Sequence, residues 1–265
     1  MKNQSENKVY TLAEVLGKHT IAELKQMTQV LEVKVLSKAK KQEIIDALSA
    51  KLLDKELLTA WLLAAGKQEI EELELAMAED VVIAEESGRF YYWRNLPVVF
   101  VTGDGVVVVP SETAAVYNEI KSDSEYAQKR SRINVFDEYL MSCVNLYRAI
   151  DITTFLSIVN GQTGMNAKRP ELESWLKDRE AVRGQQMYFF EGGYILSEEY
   201  RTKKEGEVVD YHQLLERQGA MSYYIPAKSE LLRYADPYYV EKTPSYAAFC
   251  LSLIHISEPT RHAQI

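Results

Sequence analysis

Residues 20 to 53 read TIAELKQMTQVLEVKVLSKAKKQEIIDALSAKLL, and this stretch has the clearest structural pattern in the chain. Thr20 and Glu23 have the spacing of a helix capping box. The positions that follow recur at helical spacing and predict one inward stripe: Ile21, Leu24, Met27, Thr28 and Leu31. Val33 and Val35 then indicate a short extended crossing.

A second helix is predicted after the crossing, with Ser37 as its N-cap. Its inward face would contain Ile44, Ile45, Leu48 and Leu52. Lysines cluster around the expected start of this helix: Lys34, Lys38, Lys40 and Lys41. A helix N-terminus presents free backbone N–H groups, so lysines there add charge to a place already suited to a phosphate. These lysines, supported by Lys25, are our candidate nucleic-acid-binding residues.

The same stretch resembles the small N-terminal module of the transcription terminator Rho, which is related in shape to SAP-type DNA-binding motifs. The residues that carry the resemblance are Thr20 to Lys25, Leu31, Val33, Lys34, Ser37 to Lys41 and Glu43 to Ile45. Glu32 and Val35 stand where that family usually has glycine. In Rho the module is an adjunct to the main RNA-binding domain, so the resemblance implies weak or non-specific nucleic-acid contact.

The larger arrangement resembles a group of bacterial multi-module proteins that place a Rho-like module before mixed helix and hairpin domains. The stretches that suggest this are Cys143 to Tyr147, Tyr223 to Pro226 and Leu231 to Asp236. Some members end in a short Cys-rich zinc-binding motif, which in this protein would lie beyond a truncation expected after Cys250. The resemblance implies no known activity.

Charge is distributed unevenly along the chain, whose net charge is -8. That total argues against a protein that coats nucleic acid over its whole surface. Between residues 18 and 55, however, eight lysines face five acidic residues, whereas residues 67 to 86 contain one lysine and eight acidic residues. This asymmetry indicates a basic module followed by an acidic one; the alternative is two solvated helix faces.

A second unit is predicted over residues 54–121. It would contain two helices, the first ending near Gly66, then a strand over Arg89–Arg94 (RFYYWR). A β-hairpin follows, with strands at 98–101 and 106–109 that are separated by Thr102-Gly-Asp-Gly105. A further helix is expected over Glu112–Lys121, after Pro110.

A third unit is predicted over residues 132–200. It would contain a helix from Ile133 to Ala149, a second helix capped by Asp151 and broken at Asn160-Gly161, and a third opened by Pro170. A hairpin turning on Glu191-Gly-Gly193 completes the order of a winged helix. The alternative is a generic α+β domain that docks proteins, because the second helix contains no Arg or Lys to meet phosphates.

The fold class expected from these patterns is α+β, mostly α: a SAP-like helix–extension–helix module followed by two winged-helix-like units. Residues 1–19 would form a polar lead and residues 208–250 a Tyr-rich helical segment. Its tyrosines could stack on bases, but we favour half-buried packing with the hydroxyls at the surface. Leu251–Arg261 (LSLIHISEPTR) resembles a translated sequencing adapter, so we expect 251–265 to be an artefact rather than a natural amphipathic tail.

Patterns typical of catalysis are missing from the sequence. It contains no H-E-x-x-H, C-x-x-C or phosphate-loop motif, and Cys143 lies in an apolar helical pattern as a core residue would. We therefore expect no enzymatic activity, no metal site and no cofactor. The longest apolar run, Leu57–Ala65, is far shorter than the ~20 residues of a membrane span, so a cytoplasmic location without a membrane partner is expected.

Two functions remain open from the sequence. The first is a non-catalytic, nucleic-acid-associated protein whose basic N-terminal module makes weak, non-specific contacts with DNA or RNA phosphates. The second is a protein-interaction adaptor that docks a partner through its winged units and its acidic helix.

Overall fold

The computed structural model describes residues 9–84, 87–183, 188–200, 211–219 and 221–246. The described chain is α+β and mostly helical. Its α-helices are α1 (Leu12–Gly17), α2 (Ile21–Val30), α3 (Lys41–Leu52), α4 (Lys55–Ala64), α5 (Lys67–Ala78), α6 (Tyr91–Asn95), α7 (Ser111–Lys121), α8 (Ser124–Tyr147), α9 (Ile152–Thr163), α10 (Arg169–Arg183), α11 (Tyr211–Gln218) and α12 (Lys228–Leu231). Its strands are β1 (Val81–Val82), β2 (Phe100–Val101), β3 (Val106–Val108), β4 (Ala149–Asp151), β5 (Tyr188–Glu191) and β6 (Tyr194–Ser197).

The helices α1 to α5 share one hydrophobic core. Within α1 the side chains of Leu12, Val15 and Leu16 are buried, and this helix packs against α3 and α7. Leu24 and Ile44, from α2 and α3, belong to the same buried cluster as residues of α4 and α5. The helix–extension–helix stretch is therefore held by burial against the helices that follow it, because short helices are marginal alone.

The N-termini of α2 and α3 show which of the predicted caps form. The Thr20–Glu23 capping box is confirmed: the Thr20 N–H donates to Glu23 Oε2 at 2.7 Å, and Thr20 Oγ1 accepts the Glu23 N–H at 3.3 Å. The prediction that Ser37 caps the next helix is wrong. Lys40 is the N-cap of α3, and its N–H donates to Glu43 Oε2 at 2.7 Å, because Glu43 at the third helical position supplies the acceptor.

A left-handed residue ends α2. Glu32 has φ +53°, its N–H donates to Gln29 O at 3.3 Å, and the Val33 N–H donates to Thr28 O at 2.8 Å. These two bonds form a Schellman motif, which satisfies carbonyl groups that the helix leaves free. The chain therefore adopts at Glu32 the conformation that glycine favours, despite the side chain.

The first sheet has the strand order β1-β3-β2 and is antiparallel. The predicted hairpin around residues 102–105 is confirmed, but the strand predicted at Arg89–Arg94 is wrong. Residues Tyr91–Asn95 form α6, which follows Phe90 at φ +59°. Tyr92 and Trp93 are both buried, whereas a strand would send adjacent side chains to opposite faces.

The second sheet has the order β4-β6-β5 and accompanies α8, α9 and α10. The hairpin at residues 191–193 and the Asp151 cap of α9 are confirmed. Two predicted helix boundaries are wrong. Helix α8 begins at Ser124, capped by Asp123, because its first turns are too polar for apolar periodicity to reveal. Helix α9 runs through Asn160-Gly161 to Thr163 and ends at Gly164, φ +70°.

The Tyr-rich segment packs on α8. The helix α12 continues into a 3₁₀ turn, Leu232–Ala235, which makes many of its contacts with α8. Leu231 is fully buried, while Tyr224 is 63% and Tyr238 90% exposed. Leu231 therefore anchors the segment together with the half-buried Tyr223, Tyr234 and Tyr239. Across the described ranges, we find no helix that is long and apolar enough to cross a membrane.

Candidate nucleic-acid interface

The connection between α2 and α3, residues 33–40, is called the basic crossing. Its first residues alternate in exposure as an extended segment does. Val33 and Val35 are half-buried, and the first of them packs against the core. Lys34 and Leu36 are exposed, Leu36 to 80%. Val33 therefore holds the crossing on the protein while Lys34 reaches solvent.

Three of the five candidate lysines are exposed, and all three lie in the basic crossing: Lys34, Lys38 and Lys40. The other two are half-buried and bind backbone carbonyls. Lys25 Nζ donates to Ser37 O at 3.2 Å, and Lys41 Nζ donates to Gly17 O at 2.6 Å. The structure thus brings Lys25 to the crossing and directs Lys41 to the end of α1.

The half-buried Lys25 and Lys41 keep their positive charge and part of their capacity to donate hydrogen bonds. An ammonium group has three N–H donors, so a single bond to a carbonyl leaves the charge and two donors. Within the part of the chain that the structure describes, none of the five candidate lysines forms an ion pair with a carboxylate. Their positive charge is therefore not cancelled by a direct carboxylate contact.

The start of α3 lies at the end of the basic crossing. Lys40, its N-cap, provides no side-chain acceptor to the first turn, unlike the usual Ser, Thr, Asp or Asn. Free N–H groups in a first turn attract anions, and the helix dipole adds to this attraction. Glu43 works against anion binding there, because its carboxylate accepts the Lys40 N–H and places a negative charge in the same turn.

Apolar side chains are also exposed on α2 and in the basic crossing. Ile21, expected on the inward stripe of α2, is 46% exposed, and Val30 is 66% exposed. The inward prediction for Ile21 is wrong because it occupies the first position of α2, where the helix has only begun to cover the core. Leu36, between Lys34 and Lys38, gives the basic crossing itself an exposed apolar side chain that sequence periodicity did not reveal.

A second candidate site is a cleft of about 520 Å³ between α5, α6, α8 and α10. We call it the charged cleft. The residues that decide its character are Glu69, Glu72, Tyr91, Asp137, Glu138 and Arg179. Cavities of this size hold small ligands in many proteins. What this cleft could bind depends on how its charged side chains are paired.

The charges inside the cleft pair with one another. Arg179 is buried and bonds to Asp137, and Arg183 makes two hydrogen bonds to Glu69, at 2.8 and 2.5 Å. Burial opposes ionisation of Glu69, but the bonds and charge of Arg183 outweigh it and lower the pKa of this carboxyl. Sequence reasoning missed this network because its members are up to 114 residues apart.

The same ion pairs occupy two arginines of the unit that was predicted over residues 132–200. Arg179 and Arg183 lie on α10, the third helix before the second hairpin, and α10 packs against α4. Their guanidinium groups bond to Asp137 and Glu69 of this chain. They are thus committed to internal packing, and α10 does not present them to a phosphate chain.

No family model, curated protein or solved structure matches the chain. The geometry alone must therefore indicate the function. In the described residues, no group of three or more His, Cys, Asp or Glu side chains is placed to hold a metal ion. Cys143 is fully buried, and burial raises the pKa of its thiol to about 12, which leaves almost no thiolate at neutral pH.

Proposed function

We propose that this protein is a non-catalytic, nucleic-acid-associated protein that contacts sugar–phosphate backbones weakly and without sequence specificity. The observation that carries the proposal is the basic crossing, where Lys34, Lys38 and Lys40 are exposed and lead into the N-terminus of α3. Backbone contacts of this kind position a protein on nucleic acid and carry no sequence information.

The number of exposed lysines limits the affinity. Each neutralised phosphate of duplex DNA contributes about -0.9 to the slope of log K against log salt, so three contacts give a slope of about -3. The net charge of -8 repels nucleic acid from most of the remaining surface. Binding is therefore weak, salt-sensitive and confined to one face.

We further propose that α2, the basic crossing and α3 form a SAP-like module, as in Rho. The left-handed Glu32 at the end of α2 supports this, because the Rho module usually has glycine there. We also propose that α8 to β6 form a winged-helix unit. The antiparallel pairing of β4 with β6 supports the second proposal, with α10 serving internal packing rather than groove recognition.

The test is fluorescence anisotropy with labelled duplex DNA and single-stranded RNA of mixed sequence, over a salt series. A variant with Lys34, Lys38, Lys40 and Lys41 changed to alanine is expected to lose at least about tenfold in affinity at low salt and to flatten the salt slope toward zero. Equal binding by the variant and the parent would refute the proposal.

A matched control carries the same change in charge elsewhere. Lys121, Lys168, Lys177 and Lys228 are exposed and lie outside the module, so their alanine substitutions lower the net charge equally. We expect this control to bind within about twofold of the parent, because distant surface charges are screened at ordinary salt. If it weakens binding as much as the first variant, net charge and not the crossing controls affinity.

The exposed Leu36 and Val30 favour a second candidate, a protein-interaction adaptor. Exposed apolar side chains supply contacts in many protein-binding surfaces. Capture experiments from lysate with and without nuclease separate the two functions. A partner that docks on apolar contacts persists after digestion and is lost in Leu36→Asp, whereas a nucleic-acid bridge disappears.

A further inference from the structure

Two carboxylates of the acidic 67–86 stretch, Glu69 and Glu72, line the charged cleft. Inside the cleft, Arg179 and Arg183 are neutralised by Asp137 and Glu69. At the mouth are two carboxylates, Glu72 and Glu138, and one ammonium, Lys67, whose Nζ is 4.0 Å from Glu138 Oε1. Glu72 is half-buried and accepts the Phe90 N–H at 3.0 Å, but no cation is paired with it among the described residues. The mouth therefore retains an excess of negative charge.

The walls of the mouth include apolar surface that solvent can reach. Tyr91 is 69% exposed, and Leu96 and Met141 are half-buried in the lining. An aromatic ring beside carboxylates attracts a cation and also packs against aliphatic groups. The chemistry that fits this mouth is a lysine-bearing segment with an exposed aliphatic side chain.

The same chain displays such a segment. In the basic crossing, Leu36 is 80% exposed between Lys34 and Lys38, and both lysines are exposed. This tip turns at residues 37–38, where the Ala39 N–H donates to Leu36 O at 3.0 Å. It is cationic and apolar at its centre, which complements the mouth in charge and in character.

We propose that the basic crossing of one copy docks into the charged cleft of a second copy. Leu36 packs beside Tyr91 and Met141, while Lys34 and Lys38 lie near Glu72 and Glu138. The contact joins two different surfaces, so it is heterologous and builds either a closed ring or an open chain of copies. It is small and polar, and hence weak and sensitive to salt.

The test is sedimentation velocity with the purified full chain at low salt, over concentrations up to about 1 mM, the range of weak association. The parent is expected to self-associate. Glu138→Lys and the double variant Lys34→Glu/Lys38→Glu are each expected to weaken association at least about tenfold when alone. An equal mixture of the two variants is expected to restore a complex, because the intact tip of the Glu138→Lys copy meets the intact cleft of the double variant.

The outcomes separate clearly. A parent that stays monomeric, variants that still self-associate, or a mixture that stays monomeric would each overturn the proposal. Glu138 is exposed, so its reversal should leave the fold intact, and a thermal melt verifies this. Leu36→Asp provides an independent arm, which should abolish association without removing a lysine.

This proposal fails independently of the nucleic-acid function. Glu138→Lys leaves all candidate lysines in place, so its nucleic-acid binding should equal or exceed that of the parent. Loss of self-association with retained nucleic-acid binding supports docking through the cleft. Self-association that persists in this variant refutes such docking, whatever the nucleic-acid result.

Discussion

Arg183 donates two parallel hydrogen bonds to Glu69, from Nη1 to Oε2 at 2.8 Å and from Nη2 to Oε1 at 2.5 Å. The pair joins the last residue of α10 to the first turn of α5. The side chains of Arg183 and Glu69 are 21% and 20% exposed, so water screens the pair less than a surface ion pair. Paired guanidinium and carboxylate groups in this geometry are among the stronger polar contacts in proteins.

Glu69→Gln is expected to lower the free energy of unfolding by about 1–3 kcal/mol at pH 7, because it leaves Arg183 partly buried without its counter-charge. The pKa of Glu69 is lowered in the folded protein: burial raises it, but Arg183 outweighs burial. Its contribution is therefore complete above the unfolded pKa of about 4.3 and is lost as pH falls through the lower folded pKa. Urea denaturation at pH 7 and pH 3 measures both effects.

The matched control for this prediction is Glu71→Gln. Glu71 lies on the same helix and is exposed, so the substitution should change stability by less than about 0.5 kcal/mol. A Glu69→Gln variant as stable as this control at pH 7 would contradict a stabilising role for the pair.

Arg130→Met is expected to lower the free energy of unfolding by about 2 kcal/mol. Arg130 Nη1 donates to Leu62 O at 3.0 Å and to Ala65 O at 2.6 Å, the carbonyls at the end of α4. Burial lowers the pKa of this guanidinium, so removing the charge offsets part of the loss. Chemical denaturation measures the change, with the exposed neighbour Lys129→Met as control. If Arg130→Met lowers the free energy of unfolding less than Lys129→Met does, the bonds from Arg130 to the end of α4 do not stabilise the fold.

Local features were predictable from sequence because neighbouring residues determine them. The Thr20–Glu23 capping box, the Asp151 cap and the turn at residues 191–193 each depend on a few adjacent side chains. The same local reasoning was wrong at RFYYWR. Its aromatic residues favour strands in general, but Trp93 donates its indole N–H to Glu69 O at 2.5 Å, and a distant partner decided the conformation.

The candidate site was only partly accessible to sequence reasoning. The lysines were found because a charge cluster beside a predicted helix start is visible in the residues themselves. Their exposure to solvent could not be predicted, since the bonds of Lys25 to Ser37 and of Lys41 to Gly17 depend on packing. The charged cleft could not be found at all, because α5 and α10 meet only in the folded chain.

Cys143 is expected to be unreactive in the folded protein. Its side chain is fully buried, and the pKa of its thiol is raised to about 12 by burial. At pH 8 the thiolate fraction is therefore about one in ten thousand. In a Cys250→Ser variant, so that Cys143 is the single thiol, Ellman's reagent should react rapidly in urea and very slowly without it. Fast modification under native conditions would contradict this burial.

Glu32→Gly is expected to stabilise the protein and to strengthen nucleic-acid binding. Glu32 has φ +53°, a conformation that costs a residue with a Cβ about 1–2 kcal/mol. Glycine removes this cost, but it also raises the conformational entropy of the unfolded chain, which favours unfolding. The net increase in the free energy of unfolding is therefore about 0.5 kcal/mol. For a chain of this length the melting temperature should rise by about 1–2 °C.

Glu32→Gln separates the two effects, because it removes the charge and keeps the left-handed strain. Both variants delete a negative charge next to the basic crossing, so both should bind nucleic acid more tightly than the parent at low salt. Only the glycine variant should melt at a higher temperature. If both variants gain stability equally, charge repulsion and not backbone strain is the cost at Glu32; if neither binds more tightly, phosphates do not approach this end of α2.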